Sequence, residues 1–165
     1  MKNTVITILM MLGSLIANAQ KNNDSKIDFN VGAELGFATG ILNSAYSITY
    51  GATAQLEYQI NDKTSITGNS GIQQFVGRKL PGTSLKNQSN TLIPILAGGK
   101  YYISDNFFGS VQLGLSLFTG KVGATKFTYA PGLGFKINDK VEALVKYTGY
   151  SNFGGAFGAR VSYSL

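Results

Sequence analysis

The feature that most constrains this chain is a strict alternation of apolar residues with small or polar ones. From Ile27 to Phe37 every odd-numbered residue is apolar, and the residues between them are Asp, Asn, Gly and Glu. From Tyr46 to Ile60 the even-numbered residues are apolar and the odd-numbered ones are Ser, Thr, Gly, Gln and Glu. Because successive side chains of a β-strand point to opposite faces, a period of two predicts strands with one apolar and one polar face.

Similar segments follow along the chain, and no helical pattern is found after the first 20 residues. The predicted strands are Ile27–Phe37, Tyr46–Ile60, Thr64–Gly77, Thr91–Ile103, Phe107–Thr119, Thr125–Ile137, Val141–Gly149 and Phe153–Leu165. Short strands in uninterrupted succession predict an all-β fold built as an antiparallel meander.

One short pattern occurs three times, as YQINDK at Tyr58–Lys63, YYISDN at Tyr101–Asn106 and FKINDK at Phe135–Lys140. Each copy ends one strand and begins the next, and Asn and Asp favour the tight turn between them. The copies fall at every second connection, so the three tight turns lie at one end of the meander. The other connections, which include Arg78–Asn90 and Gly120–Lys126, lie at the opposite end. Short turns at one end and longer loops at the other are typical of outer-membrane barrels.

Each copy of the pattern begins with an aromatic residue on the apolar face, namely Tyr58, Tyr101 or Phe135. Aromatic residues at one common level predict a girdle at a membrane interface. The alternative interpretation is that any meander favours such residues before a turn.

Charged residues make up only 13% of the chain, about half the usual share. Those within strands all fall on the less apolar face: Asp28, Glu34, Glu57, Lys100, Lys126, Lys136, Glu142, Lys146 and Arg160. A Lys or Arg on the lipid face near the bilayer centre costs about 2–4 kcal/mol, so this face should be the lumen. The lumen of an eight-stranded barrel is just wide enough to be filled by side chains. We therefore predict that these residues form a charge network that fills the lumen without leaving a pore.

The N-terminal segment MKNTVITILMMLGSLIANAQ has a basic residue, an apolar run and Ala17–Ala19 as an A-x-A cleavage site. This pattern predicts a signal peptide over residues 1–19, since the apolar run is shorter than the ~20 residues of a membrane-spanning helix. A polar periplasmic tail at 20–26 and a barrel domain at 27–165 would follow.

The composition argues against catalysis, because the chain has no His and no Cys. The usual acyl-transfer bases and transition-metal ligands are therefore missing, and we expect no enzyme activity, no cofactor and no metal. The formal net charge is +6, but no basic run accompanies it, so we expect no nucleic-acid partner.

Two segments, GLGFKINDKVEALVKYTGYS (Gly132–Ser151) and the last strand, resemble small outer-membrane β-barrels of Gram-negative bacteria. The group includes the OmpA transmembrane domain and OmpX-like proteins, and the signal peptide resembles those of Bacteroidota. The resemblance implies an eight-stranded antiparallel up-and-down transmembrane β-barrel in the cell outer membrane. Outer-membrane lipid would surround it, and a monomer is expected.

The last strand also resembles the family's C-terminal assembly signal, with apolar residues at Phe157, Val161, Tyr163 and Leu165. The resemblance implies recognition by the barrel-assembly machinery, with periplasmic chaperones acting during biogenesis. The family usually ends in Phe or Trp, and Leu165 departs from that pattern.

Three functional hypotheses follow. The first is a membrane barrel with a structural or surface-interaction role in the cell envelope. The second is a soluble lipocalin-like barrel whose apolar face turns inward around a ligand. The third is a narrow channel or hydrophobic-ligand conduit, which the inward-facing Phe118, Leu144 and Tyr150 would favour.

Overall fold

A computed structural model describes residues 26–79, 82, 85–119 and 123–165. The predicted signal peptide, most of the predicted tail and the loop residue Lys121 lie outside the described residues. The strands are β1 (Ile27–Thr39), β2 (Tyr46–Asn61), β3 (Thr64–Gly77), β4 (Asn90–Tyr102), β5 (Phe107–Phe118), β6 (Ala124–Asn138), β7 (Val141–Tyr150) and β8 (Gly154–Ser164). They agree with the predicted strands to within a few residues at each end.

The strands form one closed barrel in which each strand pairs antiparallel with its neighbours in sequence. Pairing of β1 with β8 closes the barrel, with Glu34 opposite Arg160 and Phe37 opposite Phe157. The prediction of an eight-stranded antiparallel up-and-down barrel is therefore confirmed.

Most apolar side chains of the strands point out of the barrel, and the charged side chains of the strands point into it. Leu35 is 64% exposed, whereas its neighbour Glu34 is 9% exposed and Arg160, opposite Glu34, is 3% exposed. The hypothesis of a lipocalin-like barrel with an apolar interior is wrong, because the alternation places the apolar face outside.

The repeated pattern forms the tight turns, as predicted, and its Asn side chains hold them together. The Asn61 side-chain oxygen accepts a hydrogen bond of 3.0 Å from the Lys63 amide. The Asn138 side-chain oxygen accepts bonds of 2.9 Å from the amides of both Lys140 and Val141. In the middle copy the Ser104 hydroxyl accepts a bond of 3.2 Å from the Phe107 amide. We refer to this side of the barrel as the turn end and to the opposite side as the loop end.

The expectation of no helix after residue 20 is wrong at one place, because a single helical turn, α1 (Leu42–Ala45), lies in the β1–β2 loop. Leu42 is buried in the barrel mouth, and this packing holds a segment too short to form a helix alone. In the part of the chain that the structure describes, no helix has the length and apolarity of a membrane span.

The outward face of β3 contains two polar residues, Ser70 and Gln74, and from the sequence such residues on a lipid-facing strand predict a β-bulge or an early exit of the strand from the bilayer. No bulge lies at either residue, since the β2–β3 register is unbroken from Thr49 opposite Phe75 to Gln59 opposite Ser65 and shifts only beyond these two pairs. Both side chains instead bond to β4. The Ser70 hydroxyl donates to the Pro94 carbonyl at 2.9 Å, and the Thr91 hydroxyl donates to the Gln74 side-chain oxygen at 2.8 Å.

Candidate functional site

The lumen is the candidate site, and an ion-pair cluster of Glu34, Lys146 and Arg160 lies near its middle. Lys146 Nζ is 2.7 Å from Glu34 Oε1, and Arg160 Nε is 4.0 Å from the same oxygen. The other Glu34 oxygen accepts a hydrogen bond from the Gln73 amide. We call these three charged residues the central cluster. Strands β1, β7 and β8 contribute them, so the cluster depends on closure of the barrel.

The Arg160 guanidinium extends the central cluster into a layer of amide side chains. It donates hydrogen bonds of 2.9 Å to the side-chain oxygen of Gln55 and 2.8 Å to that of Asn30. Gln112 donates to the same Gln55 oxygen at 3.1 Å. Gly32 makes room for this arrangement, because a Cβ at that position would lie 2.6 Å from Arg160 Nε.

A second cluster lies towards the turn end and is centred on Lys100. Its Nζ is 3.1 Å from a carboxylate oxygen of Glu57 and 2.6 Å from one of Glu142. The Tyr102 hydroxyl donates to Glu142 at 3.1 Å, and the Lys100 ammonium lies 4.2 Å from the centre of the Phe108 ring. We call Lys100, Glu57 and Glu142 the turn-end cluster. Both carboxylates thus have the Lys100 ammonium as a cationic partner, as buried ions require, although the cluster holds two negative charges and one positive charge.

The prediction of one network of nine residues is corrected, because three of the nine lie apart from both clusters. Asp28 accepts a hydrogen bond of 2.8 Å from the Ser164 hydroxyl, and Lys136 Nζ lies 6.0 Å from the Tyr102 ring centre. Lys126 Nζ lies 5.2 Å from the ring centre of Phe153 at the loop end. Within the described residues, none of the three has an opposite charge within 4.0 Å. They sit near strand ends, where water reaches them and no partner is required.

Asp28 and Lys136 line an open cavity of about 330 Å³ at the turn end. The other residues that line it include Lys26, Glu57, Asp62, Tyr102 and Asp105. The cavity extends inward to the turn-end cluster, since Glu57 belongs to both. No group of three or more His, Cys, Asp or Glu suited to a metal ion occurs within the described segments.

The loop end of the lumen is closed by apolar side chains, and sequence reasoning missed this feature. The buried members are Ala38, Leu42, Phe75, Leu92, Phe118, Tyr150 and Ala156, and Tyr46 and Phe153 pack against them. We call this set the loop-end plug. The ring centres of Phe118 and Tyr150 are 5.4 Å apart in an edge-to-face arrangement, and Phe75 lies 6.0 Å from each.

Some signal for the plug exists in the sequence, since Phe118 and Tyr150 are predicted to face inward at the loop ends of their strands. Leu144 is also predicted to face inward, but it is only partly buried and is not in the plug. A cavity of about 20 Å³ separates the plug from the central cluster, with Tyr150 and Glu34 among its lining residues. That volume accommodates no more than about one water molecule.

The remaining predicted site residues lie on the outer surface. Tyr58, Tyr101 and Phe135 are about half exposed and lie on the turn-end side of their strands. Phe157, Val161, Tyr163 and Leu165 are similarly exposed along and just after β8. The girdle and the assembly signal stay predictions, since position alone does not test what these residues do.

Comparison with known proteins places this geometry in context. A family model described as "Outer membrane protein beta-barrel domain" matches residues 7–164. A de novo designed transmembrane β-barrel, TMB2.3, is 17% identical with a TM-score of 0.59, and the match covers 87% of this chain and 98% of that one. The attachment invasion locus protein Ail of Yersinia pestis is 16% identical with a TM-score of 0.58, covering 84% of this chain and 97% of that one. At such identities the structural likeness shows the fold alone. No curated protein gives a significant match.

Proposed function

This chain belongs to the outer-membrane protein β-barrel domain family, and from that premise we propose that it is a closed, non-conducting barrel with a structural or surface-interaction role in the cell envelope. Outer-membrane lipid surrounds its apolar exterior, and its lumen is filled with side chains. The alternative is a narrow channel or a hydrophobic-ligand conduit.

The loop-end plug is the observation that carries this proposal. Phe75 and Leu92 are 0% exposed, and the rings of Phe75, Phe118 and Tyr150 pack against one another across the lumen. A channel needs a hydrated path from one mouth to the other. Here the turn-end cavity stops at buried ion pairs, and the plug lies beyond them.

The same filled lumen supports a role without catalysis. Its buried carboxylates are engaged by Lys and Arg, and the sequence contains neither His nor Cys to serve as a general base or an activated nucleophile. Among the residues that the structure describes, the buried carboxylates of the lumen are therefore held in ion pairs, which is the more common role of such groups. We propose that the chain is not an enzyme and requires no cofactor.

Biogenesis is proposed to follow the route that the sequence predicts. Residues 1–19 would direct export as a signal peptide. The outward apolar residues Phe157, Val161, Tyr163 and Leu165 would then be read by the barrel-assembly machinery, after delivery by periplasmic chaperones. The product would be a monomer.

Single-channel recording in planar lipid bilayers tests the closed lumen. The purified, refolded barrel is expected to insert without steady conductance steps, and heat-unfolded protein in the same detergent serves as the blank. Steady, large steps from the folded protein would replace this proposal with the channel hypothesis.

A matched pair of substitutions on β5 sharpens this test. Phe118→Ala removes a ring from the plug and should give brief, small current fluctuations, because water can enter the space left behind. Phe107→Ala removes a ring from the outer face of the same strand and should stay silent. Equal behaviour of the two variants would show that the plug does not limit conductance.

A further inference from the structure

The turn-end cavity, the open space of about 330 Å³ that Asp28 and Lys136 line, has an excess of negative charge. Its charged lining residues are the acids Asp28, Glu57, Asp62 and Asp105 and the bases Lys26 and Lys136. Four acids against two bases leave two negative charges in excess. The turn-end cluster behind the cavity adds Glu142 and Lys100, whose opposite charges leave this excess unchanged. The cavity should therefore attract a cation.

Two of these carboxylates face each other across neighbouring strands. Asp28 on β1 lies directly opposite Glu57 on β2. Residues directly opposite in an antiparallel pair have Cβ atoms about 4.5–5.5 Å apart, and two like charges there are destabilising. Within the described residues, no basic group lies within 4.0 Å of Asp28, and Glu57 shares the Lys100 ammonium with Glu142. A cation between the two carboxylates would remove their repulsion.

Both carboxylates keep an oxygen for such a cation. Glu57 is 7% exposed, and one of its carboxylate oxygens lies 3.1 Å from Lys100 Nζ. The other oxygen accepts no hydrogen bond from the described residues, and it is not among the sealed, unpaired atoms of that part of the chain. It is therefore reached from the turn-end cavity, which Glu57 lines. Asp28 likewise uses one oxygen, which accepts a bond of 2.8 Å from the Ser164 hydroxyl.

The spacing of the acids indicates the shape of the cation. No three acidic side chains of the described residues are placed to hold a metal ion together. Asp62 and Asp105 lie in two different tight turns at the rim, whereas Asp28 and Glu57 lie deeper, on strands. A ligand that meets both levels needs positive groups joined by a linker. The partly buried Tyr102 in the cavity wall offers its ring to that linker, and the volume suits a small molecule.

We propose that the turn-end cavity binds a linear polyamine, with one ammonium group between Asp28 and Glu57 and a second at the rim near Asp62 and Asp105. Two ammonium groups match the two negative charges in excess. Hydrogen bonds from ammonium to carboxylate are also stronger than those between neutral groups. The cavity ends at the buried ion pairs of the turn-end cluster, so the ligand binds without crossing the barrel. This inference adds a ligand to the proposed function and depends on the fold alone.

The first test compares two variants that lose the same charge at the same end of the barrel. Asp28→Asn removes a carboxylate from the cavity, and Asp139→Asn removes one from a tight turn that is not among the described lining residues. Spermidine binding to the refolded barrel is measured by titration calorimetry in non-ionic detergent at about 0.1 M salt, where charges more than about 10 Å away are screened. Heat-modifiable electrophoresis checks that each variant is folded.

Asp28→Asn should bind spermidine about tenfold more weakly, which is the lower end of the range for a hydrogen bond to a charged group. Asp139→Asn should bind spermidine like the wild type. Equal losses in the two variants would overturn the proposal, because the attraction would then be diffuse. Undetectable binding of spermidine to the wild type would overturn it as well.

A series of ligands tests the two levels of the site. Butylamine has one ammonium group and should bind the wild type about tenfold more weakly than putrescine, which has two. Asp62→Asn/Asp105→Asn should weaken putrescine binding by a similar factor and leave butylamine binding unchanged, because the deeper carboxylates hold the single ammonium group. Equal binding of butylamine and putrescine would contradict the arrangement in two levels.

Two further probes exclude other cations. Mg²⁺ has the same charge as putrescine in a single ion, and at equal concentration it should not displace putrescine, because the acids do not converge on one point. Displacement would overturn the proposal in favour of a divalent-ion site. Tetralysine that binds more tightly than spermidine and is insensitive to Asp28→Asn would overturn it in favour of a basic peptide at the rim. Failure of these tests leaves the closed lumen untouched, whereas steady conductance would remove the proposed function and leave polyamine binding standing.

Discussion

The two halves of the lumen are lined by the same face of the same strands, yet they are closed in different ways. Towards the turn end and in the middle, charged side chains meet in the turn-end and central clusters. At the loop end, aromatic and aliphatic side chains form the loop-end plug. Alternation decides which residues enter the lumen, and the identity of those residues decides how it is closed.

The difference in closure has energetic consequences. A buried ion pair depends on both partners, because removal of one leaves an uncompensated charge in a medium of low polarity. An apolar plug depends on volume and shape, and each lost group costs its own contacts and the cavity left behind. The polar half should therefore respond most to loss of charge, and the plug most to loss of volume.

The largest effect is expected for Glu34→Gln in the central cluster. This change keeps the shape of the side chain but leaves Lys146 and Arg160 without a carboxylate, and loss of a buried partner costs about 4 kcal/mol. The free energy of unfolding is measured from urea transitions in micelles by circular dichroism, because the chain has no Trp for fluorescence. Asp28→Asn, at the hydrated mouth, is the control and should change stability little. Similar losses for both would contradict the distinction between cluster and mouth.

In the plug, Phe75→Ala is expected to cost about 3 kcal/mol, the lower end of the range for a fully buried ring. The loss should be independent of salt, since no charge is involved. Phe135→Ala on the outer face provides the control and should cost less, because detergent replaces the contacts of the missing ring. A larger loss for Phe135→Ala would mean that the plug is loosely packed.

A smaller effect is expected for Lys100→Met in the turn-end cluster, at about 2 kcal/mol. The change leaves Glu57 and Glu142 facing each other, but the adjacent open cavity lets water solvate them. The loss should shrink at high salt, where screening weakens the repulsion between the two carboxylates. An effect equal to that of Glu34→Gln and insensitive to salt would place this cluster in an environment as dry as the central one.

The fold of each half could be predicted from the sequence to a different degree. Strands, turns and orientation follow from local patterns, because the period of two and the Asn-Asp turns act within a few residues. Ion pairing in the lumen was expected from the mixed signs on one face. Its division into two clusters was not, since Glu34 meets Lys146 and Arg160 only through the β1–β8 closure. The stagger of the strands sets the depth of each side chain, and no local pattern encodes it.

The plug was harder to foresee for the same reason. Phe75, Phe118 and Tyr150 come from three strands and meet only once the barrel is closed, and Leu42 reaches them from a loop. Inward-facing aromatic residues are visible in the sequence, but they are equally compatible with a conduit. Their convergence at one depth makes them a plug, and that depth depends on the register between strands.

The smallest effect on the free energy of unfolding is expected when one tyrosine hydroxyl is removed from each half of the lumen. The Tyr102 hydroxyl donates to Glu142 at 3.1 Å, so Tyr102→Phe should cost about 1 kcal/mol. The Tyr150 hydroxyl is buried in the plug and has no hydrogen-bond partner among the described residues. Its removal in Tyr150→Phe also removes the cost of burying an unpaired polar group, so stability should be unchanged or slightly higher. Urea transitions of the two variants, measured side by side, provide the comparison. A larger loss of stability for Tyr150→Phe than for Tyr102→Phe would show that the Tyr150 hydroxyl makes a stabilising polar contact. The loop-end half of the lumen would then not be closed by apolar contacts alone.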